Sequence, residues 1–118
     1  MNYEEMSDFE INKLVSGFID FGNLIVTVND SEEVVYLCEK DGLWDMLPMG
    51  HFSPCSDPLS AWPIISDNEI DIYFNSSSGH GACKHTRNKR GIDVANKNPL
   101  RAAMICFLKM KDAENGKH

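Results

Sequence analysis

The residues most able to do chemistry lie together in one stretch, Asn75 to Gly91, with the sequence NSSSGHGACKHTRNKRG. Glycine backbone N–H groups and four cations within seven residues suit a small anionic, nucleotide-like ligand. The predicted ligand-binding residues are Gly79, Gly81, Lys84, Arg87, Lys89 and Arg90. The stretch is not a P-loop, because it lacks the GxxxxGK[ST] pattern.

Two other interpretations of the same stretch stay open. His80, Cys83 and His85 are zinc-ligand types, but their spacing does not give the usual pair-plus-pair arrangement, so they are weak candidates for a metal site. No cofactor is predicted. The Ser, Gly, Lys and Asn content is also typical of a flexible, solvated loop, and the composition favours that third interpretation.

Catalysis has little support in the residue pattern. GxSxG and HExxH motifs are absent, and a nucleophilic cysteine needs a lowered pKa and a placed base that sequence neighbours do not guarantee. A non-enzymatic binding protein is therefore expected. The alternative is a small zinc- or thiol-dependent enzyme that uses His80, Cys83 and His85.

Charge is divided unevenly along the chain. Residues 1–75 hold fifteen acids and two bases, whereas residues 76–118 hold three acids and nine bases, and the net charge is −7. Double-stranded DNA is an unlikely partner class, since the basic run has no recognition helix and the remaining surface repels phosphate. The basic stretch instead predicts a small anionic ligand as a partner.

Size and composition predict one soluble domain. The 118 residues are long enough to bury a core, no apolar run approaches a membrane span, and the acidic N-terminus is unlike a secretory signal. We therefore expect a cytoplasmic protein without a membrane partner. Its four cysteines should be reduced thiols, with Cys106 acting as a small core residue.

Local patterns predict the elements that position these residues. A capping box at Ser7 and Glu10 begins a helix, and Asn29–Glu32 is turn chemistry between two strands. Asp57-Pro58 and Asn98-Pro99 are each an N-cap followed by proline at the first helical position. The predicted elements are a helix over 8–20, a hairpin of strands 24–28 and 33–38, an apolar loop over 39–56, a helix from 58, a strand over 69–74, a short edge strand over 91–94 and a helix over 99–111.

Three further residues and one segment carry specific expectations. Pro63 should shorten or kink its helix, and Trp62 is expected in the core or between helix and sheet rather than as a ligand platform. Arg101, in the first turn of a helix, is disfavoured by the helix dipole and should pair with an acid such as Asp57 or Asp67 or contact an anion. The large apolar residues of 39–56 predict a homodimer.

Three blocks of sequence resemble the NinX-like family of small phage and prophage proteins. They are MSDFEINKLV, DPLSAWPIISDNEIDI and NKNPLRAAMICFLKMKD, which keep that family's order and cover a little under half of the chain. The resemblance implies a phage accessory protein made in a bacterial cytoplasm, with an α–β–α sandwich and no assigned activity. Residues 38–56 and 76–97 fall outside it.

Together these observations predict one α+β domain over residues 1–118. An antiparallel sheet containing 24–28, 33–38 and 69–74 should be covered by the N-terminal and C-terminal helices, because each strand and each helix has one apolar face. The expected function is that of a phage accessory protein that binds a host protein or a small anionic ligand, with counter-defence as one role.

Overall fold

The computed structural model describes residues 2–41, 45–74, 80–84 and 91–115. A 3-10 turn at Tyr3–Glu5 precedes the regular elements. In chain order these are α1 (Asp8–Ser16), β1 (Leu24–Asn29), β2 (Val34–Asp41), β3 (Asp45–His51), α2 (Pro58–Asp67), β4 (Asp71–Tyr73), β5 (His80–Lys84), β6 (Ile92–Asn96) and α3 (Pro99–Asn115). None of the helices in the described residues is long and apolar enough to cross a membrane.

The strands form two antiparallel sheets, each with three strands. The first has the order β1-β2-β3 and the second the order β4-β5-β6, and helices from both ends of the chain flank them. The predicted α+β class with an antiparallel sheet is therefore confirmed, and so is the β1–β2 hairpin. The prediction that residues 69–74 join the same sheet as that hairpin is wrong, because β4 pairs with β5 instead.

The predicted loop over 39–56 is also wrong in part, because β3 extends the first sheet. Its register with β2 shifts between Leu37 and Cys38, at a β-bulge. Gly50, which pairs with Leu37 next to the shift, has φ +152, a value that side chains rarely permit. Pro48 lies in the same strand at the sheet edge, where a missing N–H donor is tolerated.

The basic stretch also contains a strand that the sequence analysis does not predict. Residues 80–84 form β5, which pairs with β4 on one side and β6 on the other. A flexible loop is therefore the wrong interpretation for these five residues. The predicted edge strand near residues 91–94 is confirmed as β6, at the border of the second sheet.

The N-terminal helix begins where predicted and ends earlier. Both hydrogen bonds of the Ser7–Glu10 capping box are present. The helix stops at Ser16, four residues before the predicted end, with Gly17 as its C-cap. Phe18 consequently lies beyond the helix and is 44% exposed, although its ring still meets the edge of Phe107 at a centroid distance of 6.1 Å.

Pro63 does not shorten α2, which continues to Asp67 with Asn68 as its C-cap. A proline inside a helix leaves the carbonyl four residues earlier without its donor. Here that carbonyl belongs to Leu59, which is 86% exposed. Water can therefore replace the lost donor, which explains why the helix tolerates proline at this position.

The C-terminal helix α3 forms the centre of the core. It packs on β5 and β6 and also contacts α1 and α2. Seven successive residues of α3, from Ala102 to Leu108, are buried, and Cys106 is among them as predicted. The other members of the core include Ile11 and Val15 of α1 and Ile64 and Ile65 of α2.

The backbone of Cys55 forms hydrogen bonds that connect the starts or faces of three helices. Its N–H donates to Oδ1 of Asn12 in α1 at 3.0 Å, and its carbonyl accepts from Nδ2 of Asn98 at 2.6 Å. Asn98 also caps α3, because its Oδ1 accepts from the backbone N–H of Leu100 at 2.9 Å. Cys55 is completely buried and lies two residues before Asp57, the N-cap of α2. These bonds therefore fix where α2 begins relative to α1 and α3.

Arg101 forms an internal ion pair, which was one of the two alternatives predicted for it. Its partner is Asp8, at 2.7 Å, and not Asp57 or Asp67. The guanidinium also donates to the carbonyl of Met6 at 2.5 Å, and only 11% of the Arg101 side chain is exposed. Asp8 offsets the unfavourable position of a cation in the first turn of a helix. The contact holds the N-terminal segment on the start of α3.

Replacing Phe107 by alanine should lower the free energy of unfolding by about 3–5 kcal/mol, because the ring is only 1% exposed and its loss leaves a cavity. Phe74→Ala is the matched control, since Phe74 is 73% exposed and the expected loss is below about 1 kcal/mol. Urea unfolding of both variants measures the difference. Equal losses would contradict the placement of α3 in the core.

Asn12→Ala should cost about 1–3 kcal/mol, because it leaves the buried N–H of Cys55 without an acceptor. Asn2→Ala is a suitable control, since Asn2 bonds Glu5 at the surface and should change stability by about 0.5 kcal/mol or less. Thermal and urea unfolding would show the difference. An Asn12 variant as stable as the parent would mean that the Cys55 peptide does not depend on this bond.

Candidate functional site

Only part of the predicted anion site falls within the described residues. Gly81 and Lys84 belong to β5, whereas Gly79, Arg87, Lys89 and Arg90 lie outside the described ranges. The anion site therefore stays a prediction.

Gly81 has a packing role in the second sheet. It pairs with Tyr73, and a Cβ built on it would lie 2.2 Å from Cζ of that ring. Only glycine leaves room for the ring at this distance. The Tyr73 hydroxyl then donates to Oδ1 of Asp93 at 2.5 Å. Gly81 thus permits an aromatic contact that links all three strands of the sheet.

Two of the three candidate metal ligands, His80 and Cys83, belong to β5. Cys83 pairs with Asp71 and Asp93, while His85 lies outside the described residues. Within the described residues no group of three or more His, Cys, Asp or Glu side chains is arranged to hold a metal ion.

Three thiols are buried and carry no disulfide: Cys38, Cys55 and Cys106. Burial raises the pKa of Cys55 to about 12, and the nearby carboxylate of Asp8 adds to the effect. Because the thiolate is the reactive form, Cys55 stays an inert thiol at neutral pH. It contributes packing and backbone bonds rather than nucleophilic chemistry.

A cleft of about 430 Å³ lies where the first sheet meets α2. One wall is the connection from α1 to β1, a second is the first sheet with the residue after it, and the third is α2. The described lining residues are Ile19, Asp20, Phe21, Leu37, His51, Phe52, Asp57, Leu59, Ser60, Pro63, Ile64 and Asp67.

The floor of this cleft is apolar and firmly packed. The rings of Phe21 and Phe52 meet edge to face with centroids 5.0 Å apart. Phe52 and Ile64 are both buried and belong to the hydrophobic core. The N–H of Phe52 also donates to the carbonyl of Val35 at 2.8 Å, which holds the end of β3 beside β2. The cleft is therefore preformed.

The rim of the cleft is acidic. Asp20, Asp57 and Asp67 line it, and none of the described lining residues is a lysine or an arginine. Asp57 accepts from the N–H of Leu59 at 3.0 Å, and Asp20 accepts from the N–H of Gly22 at 2.8 Å. Both carboxylates are thus held in place by the backbone, and they add negative charge to a partly enclosed apolar surface.

The outer face of α2 continues this cleft with exposed apolar side chains. Leu59 is 86% exposed and Trp62 is 64% exposed. The expectation that Trp62 packs in the core is therefore wrong: Ala61, Ile64 and Ile65 occupy the inner face of the helix, and Trp62 lies on the opposite one. A helical wheel groups Trp62 with Leu59 and Pro63 on a second apolar face, but it does not tell which of the two faces is buried.

Comparison with known proteins now gives the origin of the chain. No curated protein and no solved structure matches it. The family model described as "Bacteriophage P22, NinX" matches residues 2–111, which includes every helix and strand described above except the last four residues of α3. The chain therefore belongs to the NinX family of bacteriophage proteins.

Proposed function

We propose that this phage accessory protein is a non-enzymatic binding protein that engages a host protein through the outer face of α2 and the adjoining cleft. The observation that carries the proposal is the exposure of Leu59 and Trp62 beside a preformed cleft. Tryptophan is among the residues that contribute most to protein interfaces, and large apolar side chains grouped on a surface mark interaction sites. Acting in the cytoplasm of its bacterial host, such a protein would serve the phage by occupying a host protein, counter-defence included.

A folded binding surface on a helix costs little entropy when a partner docks. α2 is anchored at its start by the Cys55 contacts and along its inner face by Ala61, Ile64 and Ile65. The exposed side chains therefore project from a fixed backbone, and preorganisation of this kind increases affinity for a given contact area.

The enzymatic alternative has weaker support. It would use His80, Cys83 and His85, and no group of three or more metal-ligand side chains is found within the described residues. A small anionic ligand at the basic stretch remains a separate prediction that neither the cleft nor α2 supports, because the described cleft has the opposite charge.

Self-association also remains a prediction, and α2 is a poor surface for it. Asp57 and Asp67 stand at the two ends of the helix, with Glu69 just beyond it. Two copies packed through α2 would bring these carboxylates together, and like charges at an interface are unfavourable. The face suits a different protein better than a second copy.

A photo-crosslinking amino acid at position 59 tests the proposal in lysate of the bacterial host. We expect one discrete host adduct, because the side chain of Leu59 is exposed at both the cleft and the outer face of α2. The adduct should disappear when Trp62→Glu is added, while circular dichroism shows an unchanged fold. The same crosslinker at Ser31, in the exposed β1–β2 turn, is the control. Equal labelling from both positions, or none from position 59, would contradict the proposal.

A further inference from the structure

We infer that the segment of the host protein that docks on this surface is both apolar and basic, with an arginine or lysine that enters the cleft and an apolar side chain that covers Trp62. The inference rests on the proposed function and specifies the chemistry of the partner. It follows from how charge is distributed among the described residues.

Several carboxylates outside the cleft pair with cations. Asp30 pairs with Lys13 at 3.1 Å, Asp8 with Arg101 at 2.7 Å, and Glu4 with Lys109 at 3.1 Å. In contrast, Asp20, Asp57 and Asp67 form no ion pair within the described part of the chain. These three carboxylates share one cleft, and none of its described lining residues is a lysine or an arginine. A cationic side chain from a partner would balance their charge.

The floor of the cleft decides which kind of cation fits. Phe21 and Leu37 are half-buried and offer apolar surface to the interior of the cleft. Arginine and lysine can lay their aliphatic stems on such a surface while the charged head reaches a carboxylate at the rim. Arginine suits the site better, because its planar guanidinium stacks on an aromatic ring and binds a carboxylate with two parallel hydrogen bonds.

The exposed face of α2 determines why the partner segment must also be apolar. Leu59 both lines the cleft and lies one turn from Trp62, so the cleft and the exposed helix face form one continuous surface. A small amine or a free metal ion would satisfy the carboxylates but leave Leu59 and Trp62 in water. A protein segment that lies along α2 satisfies both features at once.

Selection of random short peptides by mRNA display tests this inference with a defined probe. Peptides enriched on the parent protein, and not on the Trp62→Glu variant, should carry an arginine or lysine within a few residues of an aromatic or aliphatic residue. Binding of one synthesised peptide to the Trp44→Phe variant, in which Trp62 is the remaining tryptophan, can be followed by fluorescence. The affinity should fall as salt rises, because exposed ion pairs are screened over about 8–10 Å at physiological ionic strength.

The decisive variant is the double substitution Asp20→Asn and Asp67→Asn. It keeps both side-chain shapes and leaves the helix cap at Asp57 intact. We expect a loss of affinity of about tenfold or more, given typical energies of partly desolvated ion pairs. The matched control is Asp30→Asn with Glu33→Gln, which removes the same charge from the exposed β1–β2 turn and should leave affinity within about twofold.

The outcomes separate the inference from the proposed function. Enriched peptides without cations, or equal affinity for the Asp20/Asp67 variant and its control, would overturn the inference while leaving α2 as the binding face. Cationic peptides that bind the Trp62→Glu variant as tightly as the parent would overturn the assignment of that face. Failure to enrich any peptide on the parent would overturn both.

Discussion

The buried peptide of Cys55 is the constraint on which the arrangement of the helices depends. A buried N–H or C=O group without a partner is costly, and here the two partners come from different helices: Asn12 of α1 accepts, and the α3 cap Asn98 donates. The two bonds therefore hold the two helices in their relative placement. The N-cap of α2, Asp57, lies two residues after Cys55, so these bonds also fix where α2 begins.

Arg101 reinforces this arrangement from the other side. Its guanidinium holds Asp8 and the Met6 carbonyl over the first turn of α3, while the Tyr3 hydroxyl reaches Asp112 near the end of the same helix. The N-terminal segment is thereby fastened along α3. Burial, followed by the hydrogen bond to Asp112, raises the pKa of Tyr3 to about 12, so the phenol stays neutral through the physiological pH range. The rigid centre formed in this way lets α2 expose a tryptophan and a leucine without loosening the core.

Features that depend on a few neighbouring residues could be predicted from the sequence. Features that depend on contacts between residues far apart in the chain could not. The Ser7 capping box, the Asp57-Pro58 helix start and the turn between β1 and β2 are short patterns, and each appears where expected. β3 and β5 were missed because glycine, proline and charged residues interrupt their alternation, and partners in the sheets compensate for weak local preference. The position of Trp62 could not be predicted because α2 is apolar on both faces, and only the packing of Ile64 and Ile65 shows which face is buried.

The cleft could not be predicted either. Its lining residues come from four separate parts of the chain, so no single sequence motif identifies it.

The basic stretch and the acidic cleft suit ligands of opposite charge. The basic stretch is the most reactive part of the sequence, but the preformed cleft beside α2 is apolar and acidic. Hydrogen exchange of the protein, free and saturated with its host partner, tests most directly which region carries the function. Exchange should slow in residues 57–67 and in the cleft walls at 19–21 and 51–52, with little change in β4 and β6. Protection confined to residues 80–96, with α2 exchanging as in the free protein, would contradict the account.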